Sequence, residues 1–422
     1  MSFDLPTLPQ GWSYVPLEQL AQKNSVTYGV VQPGTHVDHG VPIVRVNNFK
    51  EGRVELSELM RIEPEIESKY GRTRLQGGEV LLTVVGSVGQ VAVVSEALKG
   101  FNVARAVAVI HPQDVDPNWL ALCLRSPLSQ HLLGSRANTT VQTTINLKDL
   151  RALPVPMAPE FERGKIIELI GSLDDRIALL RETNATLEAI AQALFKSWFV
   201  DFDPVRAKAE GLEPEGMNAT TAALFPDSFE ESELGLVPKG WVVRKVETVM
   251  ELPYGKALKA TDRVEGTVPV YGSGGITGYH NESLVKGPSV IVGRKGTVGS
   301  LYWEDRPFFP IDTVFYVRTD KPLTYCYYLL QTLGLEDMNT DGAVPGLNRN
   351  NAYRLPLVVA TTSILESFDE IVSSLRKKMF SNSQHAQNLS RLRDTLLPRL
   401  ISGQLRLPET DDSMENMLSE SV

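Results

Sequence analysis

Cysteine, histidine and long apolar runs are all scarce in this chain of 422 residues. Two cysteines and six histidines are too few for a disulfide framework or a cysteine-based zinc site. We expect Cys123 and Cys326 to be buried as small apolar residues, in a reducing, cytoplasmic environment. No run approaches the length of a membrane-spanning helix, and the first residues lack the basic and apolar regions of an export signal.

Motifs for nucleotide binding and catalysis are also missing. The sequence has no G-x-x-x-x-G-K-[ST] phosphate loop, no G-x-G-x-x-G that opens a helix after a strand, and no Asn-Pro-Pro-aromatic tetrapeptide of amino-methyltransferases. His36, Asp38 and His39 share a loop, but two histidines without a further ligand do not make a metal site. We therefore predict no catalytic residues, no metal and no cofactor in this chain.

Acidic residues outnumber basic ones, and the formal net charge is −9. The excess is local, because the stretch 201–235 has nine acidic and two basic residues, and the tail 409–422 has five acidic residues and none that is basic. Together these segments contribute −12, so the rest of the chain carries +3. Because fields from exposed charges fade over about 10 Å in ordinary salt, the acidic total does not exclude a DNA-binding surface.

The chain contains an internal repeat with a period near 200 residues, which is the strongest organisational signal in the sequence. Apolar strands, glycine turns and one short helix follow one another in the same order in both copies. The matching segments are 8–12 and 237–241, 41–44 and 268–271, 78–89 and 287–299, 104–110 and 311–317, 117–124 and 322–329, and 153–154 and 355–356. This order predicts two mixed α+β domains, 1–158 and 236–360.

Each copy is followed by a heptad pattern, which predicts one long helix in 159–200 and another in 361–407. Neither helix can bury its apolar stripe alone, so we expect the two to pair with each other. The acidic stretch 201–235 contains proline and glycine and is a poor helix former, which makes it a connector and favours antiparallel pairing. The predicted fold is therefore α+β, with two globular domains separated by a long antiparallel two-helix coiled coil and an acidic tail at 408–422.

Four residues of the helix seams attract attention. Asn184 and Asn382 interrupt the apolar seams at matching positions, and a polar residue at a core position fixes helix register at a cost in stability. We predict that the pair sets the register, with two solvated asparagines as the alternative. Trp198 and Phe199 close the first seam, where an exposed aromatic patch would dock a partner, although such a pair is also typical of a core.

These patterns resemble the specificity subunit of type I restriction–modification enzymes. The segment 187–205 is similar to the central conserved region of that family, and 396–403 resembles its C-terminal conserved end. The segments 271–281 and 292–299 resemble recurrent loops of its target-recognition domains. The resemblance covers residues 8–407, and the first domain departs more from the usual loop pattern.

The resemblance implies a subunit in which each recognition domain reads one half of a bipartite target in double-stranded DNA. The helix pair would set the spacing and dock two methyltransferase subunits, through which restriction and translocase subunits join. S-adenosylmethionine, ATP and Mg²⁺ would then be bound by those partners. A coiled-coil adaptor with two protein-binding domains and a self-contained nuclease or methyltransferase are the alternatives.

Donor-bearing side chains in the polar loops and glycine turns are the candidate DNA-binding residues, because such groups contact phosphates and base edges. In the first domain they are Arg45, Asn47, Asn48, Ser87, Arg105, Thr140, Gln142, Thr143 and Asn146. In the second domain they are Ser273, Thr277, His280, Asn281, Arg294, Lys295, Thr297, Asn348 and Arg349. Each of them could instead be an ordinary turn residue or a solvated loop group.

Overall fold

The computed structural model describes residues 5–137, 143–338 and 346–407. Thr140, Gln142 and the acidic tail predicted at 408–422 lie outside the described residues. The chain divides into two compact units, Met1–Ala178 with Gln387–Val422, and Leu179–Ala386. Each unit holds the body of one predicted recognition domain and part of each long helix.

The first unit combines short strands with four short helices in its described part. Its strands are β1 (Ser13–Pro16), β2 (Thr27–Tyr28), β3 (Val41–Val44), β4 (Phe49–Lys50), β5 (Arg53–Val54), β6 (Met60–Ile62), β7 (Val80–Thr83), β8 (Val91–Val93), β9 (Asn102–Val103), β10 (Val107–Ile110) and β11 (Pro154–Met157). Its short helices are α1 (Pro64–Glu67), α2 (Pro117–Arg125), α3 (Pro127–Ser135) and α4 (Leu147–Arg151), and the long helix α5 (Glu160–Phe199) begins here.

The second unit repeats this plan. Its short helices are α6 (Asp203–Ala209), α7 (Ala219–Leu224), α8 (Leu323–Gln331) and α9 (Arg349–Tyr353), and the long helix α10 (Thr362–Ile401) begins here. Its strands are β12 (Phe229–Ser232), β13 (Gly235–Pro238), β14 (Val242–Lys245), β15 (Val268–Gly272), β16 (Gly275–His280), β17 (Ser289–Gly293), β18 (Leu301–Glu304), β19 (Phe309–Pro310), β20 (Val314–Tyr316) and β21 (Pro356–Val359).

Strand pairing shows that the two domains share one topology. β1 pairs with β11 as β14 pairs with β21, in both cases antiparallel. β3 lies between antiparallel β6 and parallel β9, and β15 lies between antiparallel β16 and parallel β19. β7 lies between β8 and β10, and β17 lies between β18 and β20. The repeat found in the sequence is thus a repeat of structure.

Both domains are built around apolar central strands and a buried helix. All four residues of β7 and all five of β17 are buried, as expected of strands covered on both faces. In α2, Pro117 occupies the first turn and the side chain of Asp116 accepts a hydrogen bond from the Asn118 amide, which is a favourable start for a helix. Trp119 of this helix is fully buried.

The two cysteines lie at equivalent places in this core, Cys123 in α2 and Cys326 in α8. Both are fully buried, as predicted from the sequence. Burial raises the pKa of the Cys123 thiol well above its ordinary value, and it raises the pKa of Cys326 to about 12. Trp12 and Trp241, which precede β1 and β14, are also buried.

The long helices pair antiparallel in each unit. In the first unit, the early part of α5 contacts the late part of α10, and Arg393 donates to Asp174 at 2.7 Å. In the second unit, the late part of α5 contacts the early part of α10, and Arg376 donates to Glu188 at 2.9 Å. The α+β fold class with an antiparallel pair of long helices is therefore confirmed. Among the helices of the described ranges, none has a stretch apolar and long enough to cross a membrane.

The predicted connector 201–235 differs from the expected poor helix former. It contains α6 and α7, and its strand β12 forms a hairpin with β13, so the hairpin spans the predicted boundary at position 235. Local caps explain the helices, because Pro204 stands in the first turn of α6 and the Asn218 side chain accepts from the Thr221 amide at the start of α7. Proline in the first turn and asparagine as a cap favour a helix start.

Candidate DNA interface

The glycine turns that follow β7 and β17 have the same geometry. The Gly89 amide donates to the Thr83 carbonyl, and the Gly299 amide donates to the Gly293 carbonyl, both at 2.9 Å. Each turn contains two glycines with positive φ: Gly86 (78°), Gly89 (96°), Gly296 (82°) and Gly299 (73°). Because this conformation is unfavourable for residues with a Cβ, the repeated glycines of the sequence produce the repeated turn.

A second segment packs against each turn. The Ile145 amide donates to the Val84 carbonyl at 3.0 Å, and the Leu347 amide donates to the Arg294 carbonyl at 2.8 Å. The next residue in each copy caps a short helix, α4 or α9. Asn146 accepts from the Asp149 amide and Asn348 from the Asn350 amide, both at 2.9 Å. These two predicted DNA contacts are therefore exposed helix caps beside the turn.

In the first domain, the turn borders a concave surface of about 550 Å³. It is lined by Arg45, Asn47, Ser87 and Gln90, together with Val46, Phe49, Ala104 and Ala106. Gln90 was missed from the sequence, although its place directly after a turn glycine could have indicated it. Arg105 is exposed between two of the lining alanines, whereas Thr143 is half-buried and accepts at its carbonyl from the Gly86 amide at 2.9 Å.

Asn48 requires a correction. It is almost fully buried, with 2% of its surface exposed. Its side-chain oxygen accepts from the backbone amide of Arg45 at 2.9 Å, and its backbone amide donates to the Arg45 carbonyl at 3.0 Å. Asn48 therefore holds the turn that carries Arg45 and has no exposed edge for a base.

In the second domain, Arg294 and Arg349 lie on one aromatic ring. Their guanidinium carbons are 4.9 and 4.6 Å from the centre of the Tyr254 ring. Arg294 also donates to the Asp312 carbonyl at 2.9 Å. Tyr254 was missed by the sequence analysis, because nothing in its local sequence indicates contacts with two arginines far along the chain.

The remaining candidates of the second domain divide into exposed and buried groups. Lys295, Thr297, Thr277 and Asn281 are exposed, and Ser273 is half-buried. The carbonyl of Ser273 accepts from the Ser300 hydroxyl at 2.6 Å, and its own hydroxyl lies beside the Gly296 turn. The Thr277 hydroxyl donates to the Val270 carbonyl at 3.2 Å within the β15–β16 hairpin.

The predicted DNA contact of His280 also requires a correction. It is 7% exposed, and its Nδ1 accepts from the Val264 amide at 3.0 Å. The ring packs edge-on against Phe309, with 5.8 Å between ring centres. At the end of β16, His280 therefore holds the preceding loop through its bond with Val264, and it offers no exposed group to DNA.

A buried ionic group supports the β15–β16 hairpin. The Tyr271 hydroxyl donates to Glu304 at 2.9 Å, and Arg306 donates to the same carboxylate at 3.0 and 3.1 Å. Burial alone would raise the pKa of Glu304, but the bonds from Arg306 and Tyr271 outweigh it and lower that pKa below its ordinary value. Within the described ranges, no set of three or more His, Cys, Asp or Glu is arranged to hold a metal ion.

Asn184 and Asn382 meet in the second unit. Asn382 donates to the side-chain oxygen of Asn184 at 2.9 Å, and Asn184 donates to the Met379 carbonyl and the Ser383 hydroxyl, both at 3.0 Å. Asn382 is 4% exposed. The alternative of two solvated asparagines is therefore wrong, and the role of the pair in fixing register stays a prediction.

Trp198 and Phe199 do not form an exposed docking patch, and the structure has them in a core, which is the other possibility that the sequence left open. Both are buried, and their rings pack within a larger aromatic cluster that includes Phe225 and Phe368. The apolar seam draws the end of α5 into the core of the second unit. A groove of about 580 Å³ runs beside Trp198, and its exposed apolar residues are Leu212 and Ile371.

Comparison with known proteins identifies the family. Residues 9–189 and 238–351 match the family of the type I restriction modification DNA specificity domain. These ranges include the glycine turns of both domains and most of the first long helix. The chain belongs to this family, and the resemblance noted in the sequence is confirmed.

Individual relatives agree with this assignment. The EcoBI specificity subunit of Escherichia coli is 32% identical over 198 residues, a match that covers 44% of this chain and only 42% of that protein. The HindI specificity subunit of Haemophilus influenzae is 27% identical over 392 residues, covering 75% of this chain and 84% of that protein. The crystal structure of a type I restriction–modification S subunit from M. genitalium has 17% sequence identity and a TM-score of 0.58, covering 97% and 99% of the two chains. This last likeness shows that the fold is shared.

Proposed function

We propose that this chain is the DNA sequence-specificity subunit of a type I restriction–modification complex. One observation carries the proposal beyond family membership: both domains hold the same glycine turn but surround it with different donors. Arg45, Asn47 and Ser87 border the turn in the first domain. Arg294 and Arg349 do so in the second. Two glycine turns of the same geometry, surrounded by different donors, suit a protein that reads two different half-sites of a bipartite target.

The proposal assigns catalysis to partner subunits. In it, the long helices set the distance between half-sites and dock two methyltransferase subunits, and the groove beside α6 offers apolar residues for such a contact. Restriction and translocase subunits join through the methyltransferases. S-adenosylmethionine, ATP and Mg²⁺ are bound by those partners, and the complex works in the cytoplasm.

Charge reversal at the second turn tests the DNA-binding role. We expect the R294E/K295E variant, in the assembled complex, to bind duplex DNA more weakly and with a smaller dependence of affinity on salt, because two cations near phosphates are lost. Titrations at several salt concentrations measure both quantities. R318E/K321E is the control with the same change of charge, since Arg318 pairs with Glu251 at 3.3 Å and Lys321 with Asp320 at 3.8 Å in the same domain. Unchanged affinity and salt slope in R294E/K295E would remove this turn from the interface.

Two alternatives make different predictions. A coiled-coil adaptor with two protein-binding domains would give an assembled complex that selects no DNA sequence. A self-contained nuclease or methyltransferase would show turnover when the purified chain is given DNA with Mg²⁺ or a methyl donor. We expect sequence selection by the complex and no turnover by the isolated chain.

A further inference from the structure

Tyr254 is an exposed aromatic residue with an anchored ring. It is 47% exposed, yet its ring packs against the fully buried Phe315 with 5.0 Å between ring centres. A backbone bridge also joins the two residues. The ring is therefore held from one side by the core, and its remaining surface carries the two arginines. Such a ring keeps its orientation without a ligand.

The two arginines on this ring differ in their hydrogen bonds. Arg294 donates to the Asp312 carbonyl, so part of its donor set is used by the protein. Arg349 donates to no acceptor within the described ranges, and its Nε is buried without a partner there. A buried Nε cannot meet a ligand, so the donors that Arg349 can offer are its two terminal nitrogens, which are not among the buried unpaired atoms. Arg349 is thus held by ring contacts with Tyr254 and Tyr353, at 4.6 and 5.5 Å, while its donors stay uncommitted.

An uncommitted, ring-held guanidinium fits a particular chemical partner. Its donors form a planar fork, and stacking on an aromatic ring limits the rotation of that fork. The major-groove edge of guanine presents two acceptors, O6 and N7, at the spacing that a guanidinium fork bonds in a bidentate manner. The same fork could bond a phosphate, but that contact would not depend on base sequence.

We propose that Arg349 reads a guanine in the half-site of the second domain, and that Tyr254 is the positioning residue that aims it. Arg294, on the same ring and next to the exposed Lys295, adds positive charge beside the contact. This inference rests on the proposed function of the chain as a DNA specificity subunit. It adds to that function one specified base and one residue that acts through another.

The experiment uses the full chain assembled with its methyltransferase subunits. Bound duplexes are selected from a random-sequence pool, and affinity is then measured for the selected duplex and for versions with single base-pair changes. The variants are R349Q, R349K, Y254L and Y254F, with R318Q as a control for the loss of one positive charge in the same domain. Thermal melting of each complex shows that the variant is folded.

We expect R349Q to lose discrimination at one G·C pair of one half-site, by about ten- to a hundred-fold, and R349K to lose part of it, because lysine donates to guanine without the fixed planar fork. Their affinity for duplexes already changed at that pair stays close to that of the unmodified complex. Y254L loses part of the same discrimination. Y254F retains it, because phenylalanine keeps the ring that stacks on Arg349, and R318Q changes no base preference.

Two results overturn the proposal. If R349Q weakens binding to every duplex equally, Arg349 contacts phosphate and reads no base. If Y254L discriminates as well as Y254F, the ring does not position the arginine. A complex of the unmodified chain that enriches no sequence at all would instead refute the proposed function, and the inference would fail with it for that separate reason.

Discussion

At the scale of single residues, the carboxylate of Glu304 links acidity to the stability of the second domain. It lies at the end of β18 and accepts hydrogen bonds from Tyr271 of β15 and from Arg306. Its pKa is lower in the folded chain than the ordinary 4.5. A group with a lowered folded pKa contributes stability that is present above its unfolded pKa and is lost as pH falls through the folded pKa.

We therefore expect the chain to lose stability as pH is lowered below about 4.5, with part of that slope absent from E304Q. At neutral pH, E304Q should be less stable by about 1–3 kcal/mol, because Arg306 and Tyr271 lose a charged partner. Urea unfolding of both proteins across this pH range measures the effect. E251Q is the matched control, since the Glu251–Arg318 pair is exposed and should contribute little. Equal pH slopes for E304Q and the unmodified chain would contradict the linkage.

Residue type and loop position placed several candidates correctly at exposed turns, including Lys295, Thr297 and Ser87. The same reasoning failed for Asn48 and His280, whose polar atoms are used by nearby backbone amides. A sequence shows that a side chain can donate or accept, but not whether the fold already uses it. Tyr254 could not be predicted from the sequence for a related reason, because its role depends on contacts between residues distant in sequence.

At the scale of helices, the Asn184–Asn382 hydrogen bond lies inside an apolar seam. We expect N184L to destabilise the chain by about 1–3 kcal/mol, because the buried Asn382 amide loses its partner. The double variant N184L/N382L should recover much of this loss, since two apolar residues then face each other. Free energies of unfolding for the single and double variants form a thermodynamic cycle. A double variant whose loss equals the sum of both single losses would show that the two residues are not coupled.

The long helices were predictable because a heptad pattern repeats over many turns, so one irregular residue does not hide it. The short helices of 201–235 were not predictable in this way. α6 and α7 have seven and six residues, too few to be stable alone, and they depend on caps and on packing against the domain. Composition described this stretch as acidic and rich in turn residues, which is true, but it does not reveal tertiary support.

At the scale of the whole molecule, the proposed spacer role predicts that the length of the two long helices sets the distance between the DNA half-sites. Removing seven residues from each long helix, 181–187 and 379–385, preserves the heptad seam and deletes the Asn184–Asn382 pair as a unit. Seven residues of helix are about 10 Å long, which corresponds to about three base pairs of duplex. We expect the spacer of the recognised DNA sequence to shorten by about this amount or recognition to fail, as read by mapping methylated bases. An unchanged spacer with normal activity would refute this spacer role.

The repeat gave the clearest whole-chain prediction, because matching turns and strands in two copies imply matching topology. The paired arrangements around β3 and β15, and around β7 and β17, are the result. The net charge of −9 was a poor guide by itself. Its acidic excess lies in the connector and in a tail outside the described residues, so it says little about the turns.

The two buried cysteines have a practical consequence. Thiol reagents attack the thiolate, and burial both hides these two sulfurs and raises their pKa. We therefore expect maleimides not to label the folded chain, so neither Cys123 nor Cys326 has to be replaced before labelling. One cysteine introduced at an exposed site of each domain would then carry one fluorophore, and energy transfer between the two dyes would report the distance between the domains.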